Sequence, residues 1–99
     1  MTNIFLIKNG TVYTPARDCG LLAGIVRNRV IELLKANHIP IAEGYYPKDQ
    51  LLAADEVFIT NSLMEIMPVN QIDERCYRIG PETLTARIDE LFQQTWGQK

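Results

Sequence analysis

Two short stretches of this 99-residue sequence combine residue types that could hold a charged ligand. The first is Leu21-Leu22-Ala23-Gly24-Ile25-Val26-Arg27, where a loop gives way to a helical pattern. The first turn of a helix has unpaired N–H groups and a partial positive charge, so it can hold a phosphate. Gly24 lets such a ligand approach the backbone with no Cβ in the way. The second is Thr60-Asn61-Ser62, just past a short apolar strand. Its hydroxyls, its amide and the N–H groups of a turn are all anion donors. Each stretch also has a plainer reading. A glycine before an amphipathic helix is more often a cap or a packing point, and Asn-Ser favours turns.

Other reactive residues carry less. His38 has no second histidine and follows a helix end, which suits a surface or capping role. Cys19 and Cys76 form no CxxC pair, so neither a zinc site nor a disulfide framework is expected, and no metal ligands are assigned. Asp55-Glu56 is an acidic pair, but neighbours on a strand point to opposite faces and do not suit paired acid–base work. Lys8, Lys35, Lys48 and Lys99 read as solvated charges, and Met64 and Met67 as core filling.

The elements that must position these residues follow from periodicity and turn chemistry. Strands are expected near 3–7 and 11–14, joined by Asn9-Gly10, a pair that accepts positive φ at both positions. Pro15 ends the second strand because it cannot donate to a ladder. A helix begins near Gly24, with Val26, Val30, Leu33 and Leu34 as one apolar stripe and Arg27, Arg29, Glu32 and Lys35 mostly on other faces. Asn37 can take the left-handed closing conformation, and Pro40 blocks continuation. Next come a strand over 39–45, a short helix over 47–53, and a strand over 57–60. An apolar run over 66–72 and a returning strand over 75–79 follow. Gly80-Pro81 opens a last helix with Leu84, Ile88, Leu91 and Phe92 on its buried stripe. The order is ββ-α-β-α-βββ-α, a mixed α+β domain.

Composition fits one domain with a modest core. Hydrophobic residues make up 46% and charged residues 22%, which argues against disorder. A net charge of −2 gives no electrostatic footprint for nucleic acid or an anionic membrane. No apolar run approaches the roughly 18 residues of a spanning helix, and no basic-then-apolar leader is present. A cytoplasmic protein without nucleic-acid or membrane partners is therefore expected. Ninety-nine residues are few for a complete metabolic enzyme.

Taken together, the two stretches support a family resemblance. Asn3-Ile4-Phe5, Thr14-Pro15 and Leu22-x-Gly24-Ile25-x-Arg27 match, in order and spacing, the signature of the class IV aminotransferases. These are the pyridoxal-phosphate enzymes of fold type IV. Downstream, Ala54-Asp55-Glu56-Val57-Phe58-Ile59-Thr60-Asn61-Ser62 and Ile66-Met67-Pro68-Val69 resemble the family's second block. The resemblance covers essentially the whole chain. It implies that residues 1–99 form a single domain, the C-terminal, cofactor-binding half of a larger D-amino acid aminotransferase-like enzyme, without the N-terminal domain.

The resemblance also implies roles for particular residues. Leu22 packs on one face of the pyridine ring. Gly24 leaves room for the phosphate, and the N–H groups of Ile25 and Val26 bind it. Asn61 and Ser62 complete the cradle. Many members carry Thr where Val26 stands, so only a backbone contribution carries over there. The family's Schiff-base lysine and its acidic partner lie upstream of the Asn-apolar-Phe segment. No catalytic residue is therefore assigned in this chain, and the 99 residues are expected to be inactive alone. Pyridoxal 5′-phosphate is implied for the full-length enzyme, with weak or absent binding to this piece. A small-molecule amino substrate and a homodimer are implied as well.

Within the family, the Asn-Ser-Leu form of Thr60-Asn61-Ser62-Leu63-Met64 resembles the 4-amino-4-deoxychorismate lyases. They eliminate pyruvate to give 4-aminobenzoate for folate synthesis. Branched-chain aminotransferases usually carry Gly-Thr-Ala there and D-amino acid aminotransferases Ser-Thr, and both stay open as alternatives. A module of another class also stays open, one that binds a phosphate-bearing ligand without catalysis.

Overall fold

A computed structural model describes residues 3–15, 25–61 and 63–96 of the chain. Two strands open the fold, β1 (Asn3–Lys8) and β2 (Thr11–Pro15), followed by helix α1 (Ile25–Ala36) and strand β3 (Ile41–Gly44). A short helix α2 (Lys48–Ala53) leads into β4 (Glu56–Asn61) and β5 (Glu65–Val69). The small strands β6 (Gln71–Ile72) and β7 (Arg75–Cys76) precede the last helix, α3 (Leu84–Trp96). Five strands form one sheet in the order β3-β2-β1-β4-β5, and β6 and β7 pair separately. Within the sheet, β2 and β3 run parallel and the other neighbours antiparallel. The helix α1 lies between the parallel pair in sequence, as a parallel connection requires.

The turn between β1 and β2 forms as its sequence dictates, with φ of 52° at Asn9 and 79° at Gly10. Alternation along the strands then sorts side chains by face. Phe5, Ile7, Val12 and Phe58 face α1 and α3, where they pack with Val30, Leu34, Ile88 and Phe92. Phe5 and Phe58 are partners across β1 and β4, and their rings stack with centroids 4.8 Å apart. On the opposite face Leu6 and Val57 meet Ala54 and Tyr77, with Leu51 of α2 and Ile72 of β6 against them.

The sheet and helices follow the expected order, with local differences. The apolar run over 66–72 is two strands, broken at Asn70, so four strands rather than three separate α2 from α3. The returning strand is only Arg75–Cys76. The last helix starts at Leu84, not at Gly80-Pro81. Thr83 Oγ1 accepts from Ala86 N at 3.1 Å, and the Glu56 carboxylate accepts from Leu84 N and Thr85 N at 3.2 and 2.8 Å. These acceptors serve the N–H groups that a helix start leaves orphaned. At the end of α1 the left-handed residue is His38, with φ 59°, rather than Asn37. The Asn37 side chain instead donates to the Leu33 carbonyl oxygen at 2.8 Å.

Candidate phosphate-binding site

Pairing brings three strand ends together. Asn3 at the start of β1 faces Thr60 near the end of β4. Thr14 Oγ1, near the end of β2, donates to the Ile4 carbonyl oxygen at 2.8 Å. Helix α1 starts at the same end of the sheet, because Arg27 in its first turn reaches there. Arg27 Nη2 donates to the Pro15 carbonyl oxygen at 3.0 Å and to Glu43 Oε1 at 3.1 Å.

The first two residues of α1 offer backbone N–H groups at this end of the sheet. Ile25 is 64% exposed and Val26 is buried. Their N–H groups lie in the first turn, where no preceding helical carbonyl can accept them. Side-chain donors lie at the same sheet end. Thr60 is fully buried, and its Oγ1 has no hydrogen-bond partner among the described residues. The Asn3 amide nitrogen, on the paired strand, is in the same condition. Leaving a buried polar group unpaired costs about 1–3 kcal/mol, so such groups mark places where a partner belongs. Neutral hydroxyl and amide donors at the sheet end where a helix begins are a donor set that fits a phosphate.

Asn61 ends β4, half-buried. Its Oδ1 accepts from Leu63 N at 3.0 Å and Met64 N at 2.6 Å, which shapes the β4–β5 turn. The plainer turn role is therefore real for the carbonyl oxygen, and the amide nitrogen is the atom left to serve a ligand. Leu22, Gly24 and Ser62 lie outside the described residues.

Two residues lie differently from their expected places. The spacing puts Arg27 with the residues mostly off the apolar stripe, yet its side chain is only 4% exposed, and Met64, read as core filling, is 47% exposed. The spacing held the signal, because Arg27 lies four residues before Ile31 and seven before Leu34, both buried. The acidic pair divides, with Asp55 just before β4 and Glu56 its first residue. Asp55 accepts from Asn9 N at 3.0 Å and faces Lys8 at 3.6 Å, while Glu56 caps α3. The Asn9 N–H, with Lys8 helping, holds the Asp55 carboxyl below its ordinary value, against the opposing effect of partial burial. That pair sits at the far end of β1 from Asn3. Lys8 therefore belongs to the opposite end of the sheet, and Lys48 pairs with Asp73 at 3.0 Å on exposed surface. Lys35 is exposed, His38 is exposed, and Cys19 and Lys99 lie outside the described residues.

Comparison with known proteins shows what the chain as a whole is similar to. The family model described as amino-transferase class IV matches residues 1–72. A probable branched-chain-amino-acid aminotransferase of Thermotoga maritima is 37% identical over 93 residues, covering 93% of this chain and 34% of the relative. The aminodeoxychorismate lyase of Bacillus subtilis is 34% identical over 94 residues, covering 95% of this chain and 32% of the relative. Among solved structures, an aminotransferase from Brucella abortus bound to the cofactor PLP superposes with a TM-score of 0.88 at 31% identity. It is covered over 34% of its length by 99% of this chain. The chain thus spans about a third of the length of the relatives it matches. Family model, relatives and superposition agree that this chain belongs to the class IV aminotransferase family.

Proposed function

We propose that this chain is the C-terminal, cofactor-phosphate-holding part of a pyridoxal-phosphate enzyme. The observation that supports it best is the meeting of the first turn of α1 with the buried Thr60 hydroxyl and Asn3 amide nitrogen, both without a partner among the described residues, at one end of the sheet. Pyridoxal phosphate supplies an electron sink for bonds at the carbon bearing the amino group. The chain's own residues supply position. The N–H groups of Ile25 and Val26 would hold the phosphate at the positive end of α1, with the Asn61 amide as a further donor. The resemblance adds Gly24 and Ser62 to the residues that would hold the phosphate, and Leu22 to those that would meet the pyridine ring. Val26 brings no hydroxyl, so its side chain packs into the core while its backbone binds.

Within the family we favour 4-amino-4-deoxychorismate lyase, on the Asn61-Ser62-Leu63 sequence and the likeness to the B. subtilis lyase. A branched-chain or D-amino acid aminotransferase is the second reading, favoured by the 37% identity to the T. maritima relative. The small-molecule amino substrate, the homodimer and the cytoplasmic setting belong to the full-length enzyme under either reading. The test is to assay the full-length enzyme with aminodeoxychorismate and, separately, with branched-chain and D-amino acids plus a keto-acid acceptor. The lyase reading expects 4-aminobenzoate from the first and little transamination from the others. Rapid transamination without 4-aminobenzoate selects the second reading. Residues 1–99 alone are expected to catalyse neither reaction.

A further inference from the structure

Among the described residues the buried charged groups are Arg27 and Glu56, and the phosphate-holding role does not use the Arg27 guanidinium directly. Pro15 and Arg27 flank residues 16–24, the segment that carries Leu22 and Gly24. One nitrogen, Nη2, donates to both the Pro15 carbonyl oxygen and the Glu43 carboxylate, at 3.0 and 3.1 Å. Glu43 belongs to β3, and in the parallel register it sits beside Thr14, one residue from Pro15. A single side chain therefore ties the start of α1 to the ends of both β2 and β3. The tie is asymmetric, with Arg27 4% exposed and Glu43 42% exposed. The arginine is fixed by its surroundings, and the carboxylate closes over it from the solvent side.

The position of this tie gives it a consequence for ligand binding. A phosphate at the first turn of α1 is held by N–H groups whose direction is set by the angle and depth at which the helix meets the sheet. Ile25 and Val26 immediately precede Arg27, so whatever fixes Arg27 fixes their N–H groups. We propose that Arg27 is a positioning residue, and that with Glu43 it aims the N–H groups of Ile25 and Val26 at the cofactor phosphate. It does so without touching the phosphate, because its guanidinium is turned to Pro15 and Glu43. The inference rests on the cofactor reading above.

Arginine suits this task better than lysine. Its planar fork can hold two acceptors in fixed directions, whereas an ammonium acts as a point charge on a flexible stem. Lysine at position 27 can keep an attraction to Glu43 while losing the fixed direction. That difference separates a positioning role from a general contribution to folding.

The test uses the full-length enzyme that carries this chain, stripped of cofactor, and two probes that differ only in the phosphate, pyridoxal phosphate and pyridoxal. The readout is the ratio of their dissociation constants, followed by absorption, with thermal unfolding measured alongside. The parent should prefer pyridoxal phosphate strongly. Arg27→Lys should lower that preference about tenfold, the scale of one misaligned charge-assisted hydrogen bond, while pyridoxal binding stays near the parent's. Glu43→Gln, a milder change at a half-exposed group, should lower it by a smaller factor in the same direction. A merely structural role would weaken both probes together, or lower only the unfolding temperature. If both variants keep the parent's preference, the positioning role is overturned. If the parent itself shows no preference for the phosphorylated probe, the phosphate cradle fails, and the inference fails with it.

Discussion

Thr60 and Asp55 sit five residues apart and show two ways a polar side chain can be settled. Thr60 is fully buried with a hydroxyl that has no partner among the described residues, a condition that costs stability unless a ligand supplies the partner. Thr60→Val removes the orphaned group at nearly constant shape. It should raise the stability of the cofactor-free chain by about 1 kcal/mol, read as a higher urea midpoint at unchanged slope. In the full-length enzyme the same change should weaken pyridoxal phosphate binding. Asp55 is settled within the chain, by the Asn9 N–H first and the Lys8 ammonium after it. Its folded pKa lies below its unfolded value, so this contact stabilises fully above the unfolded pKa of about 3.9. The contribution is lost as pH falls through the folded value. Asp55→Asn should accordingly lower stability at pH 7, and the gap to the parent should close below about pH 4, as followed by chemical unfolding across pH. At this scale the sequence was partly legible. Asn61 was readable both as a ligand donor and as a turn residue, and its oxygen takes the turn role. The orphaned state of Thr60 depends on which strand lies opposite, and no local spacing shows that.

Elements formed where their local chemistry was self-sufficient. Asn9-Gly10 gave its hairpin, and the stripe Val26, Val30, Leu33, Leu34 is buried throughout. Boundaries set by distant residues were not legible. Helix α3 starts at Leu84 because Glu56, 28 residues earlier, accepts its first N–H groups, and Gly80-Pro81 could not disclose that. Thr85 Oγ1 adds a third bond to the same carboxylate, at 2.7 Å. Glu56→Ala should therefore destabilise the chain by about 3 kcal/mol, more than an ordinary cap, because it strips a buried cluster of its acceptor. Amide exchange should show the first turn of α3 losing protection ahead of its middle. A loss below about 0.5 kcal/mol would mean that Thr83 alone caps the helix. Arg27 belongs to the same class of long-range effect, since its partners lie 12 and 16 residues away.

Across the whole molecule, four of the five large exposed apolar side chains among the described residues lie at the end of the sheet where α1 begins, Ile79 being the fifth. Ile25 is 64%, Tyr45 91%, Leu63 90% and Met64 47% exposed. Ile25 opens α1, Tyr45 follows β3, and Leu63 and Met64 lie between β4 and β5. Large exposed apolar groups grouped in this way mark surface that another body covers. The 99 residues expressed alone should therefore self-associate. Sedimentation velocity should show mass above the monomer, reduced by Leu63→Lys with Met64→Lys. A clean monomer at high concentration would contradict this. The chain spans about a third of the length of its relatives, and the proposed phosphate cradle lies within that third. The central claim concerns that cradle, and a crystal structure of the full-length enzyme with pyridoxal phosphate tests it most directly. The account predicts phosphate oxygens within about 3 Å of Ile25 N and Val26 N. A phosphate bound elsewhere, with both N–H groups facing solvent, would contradict it.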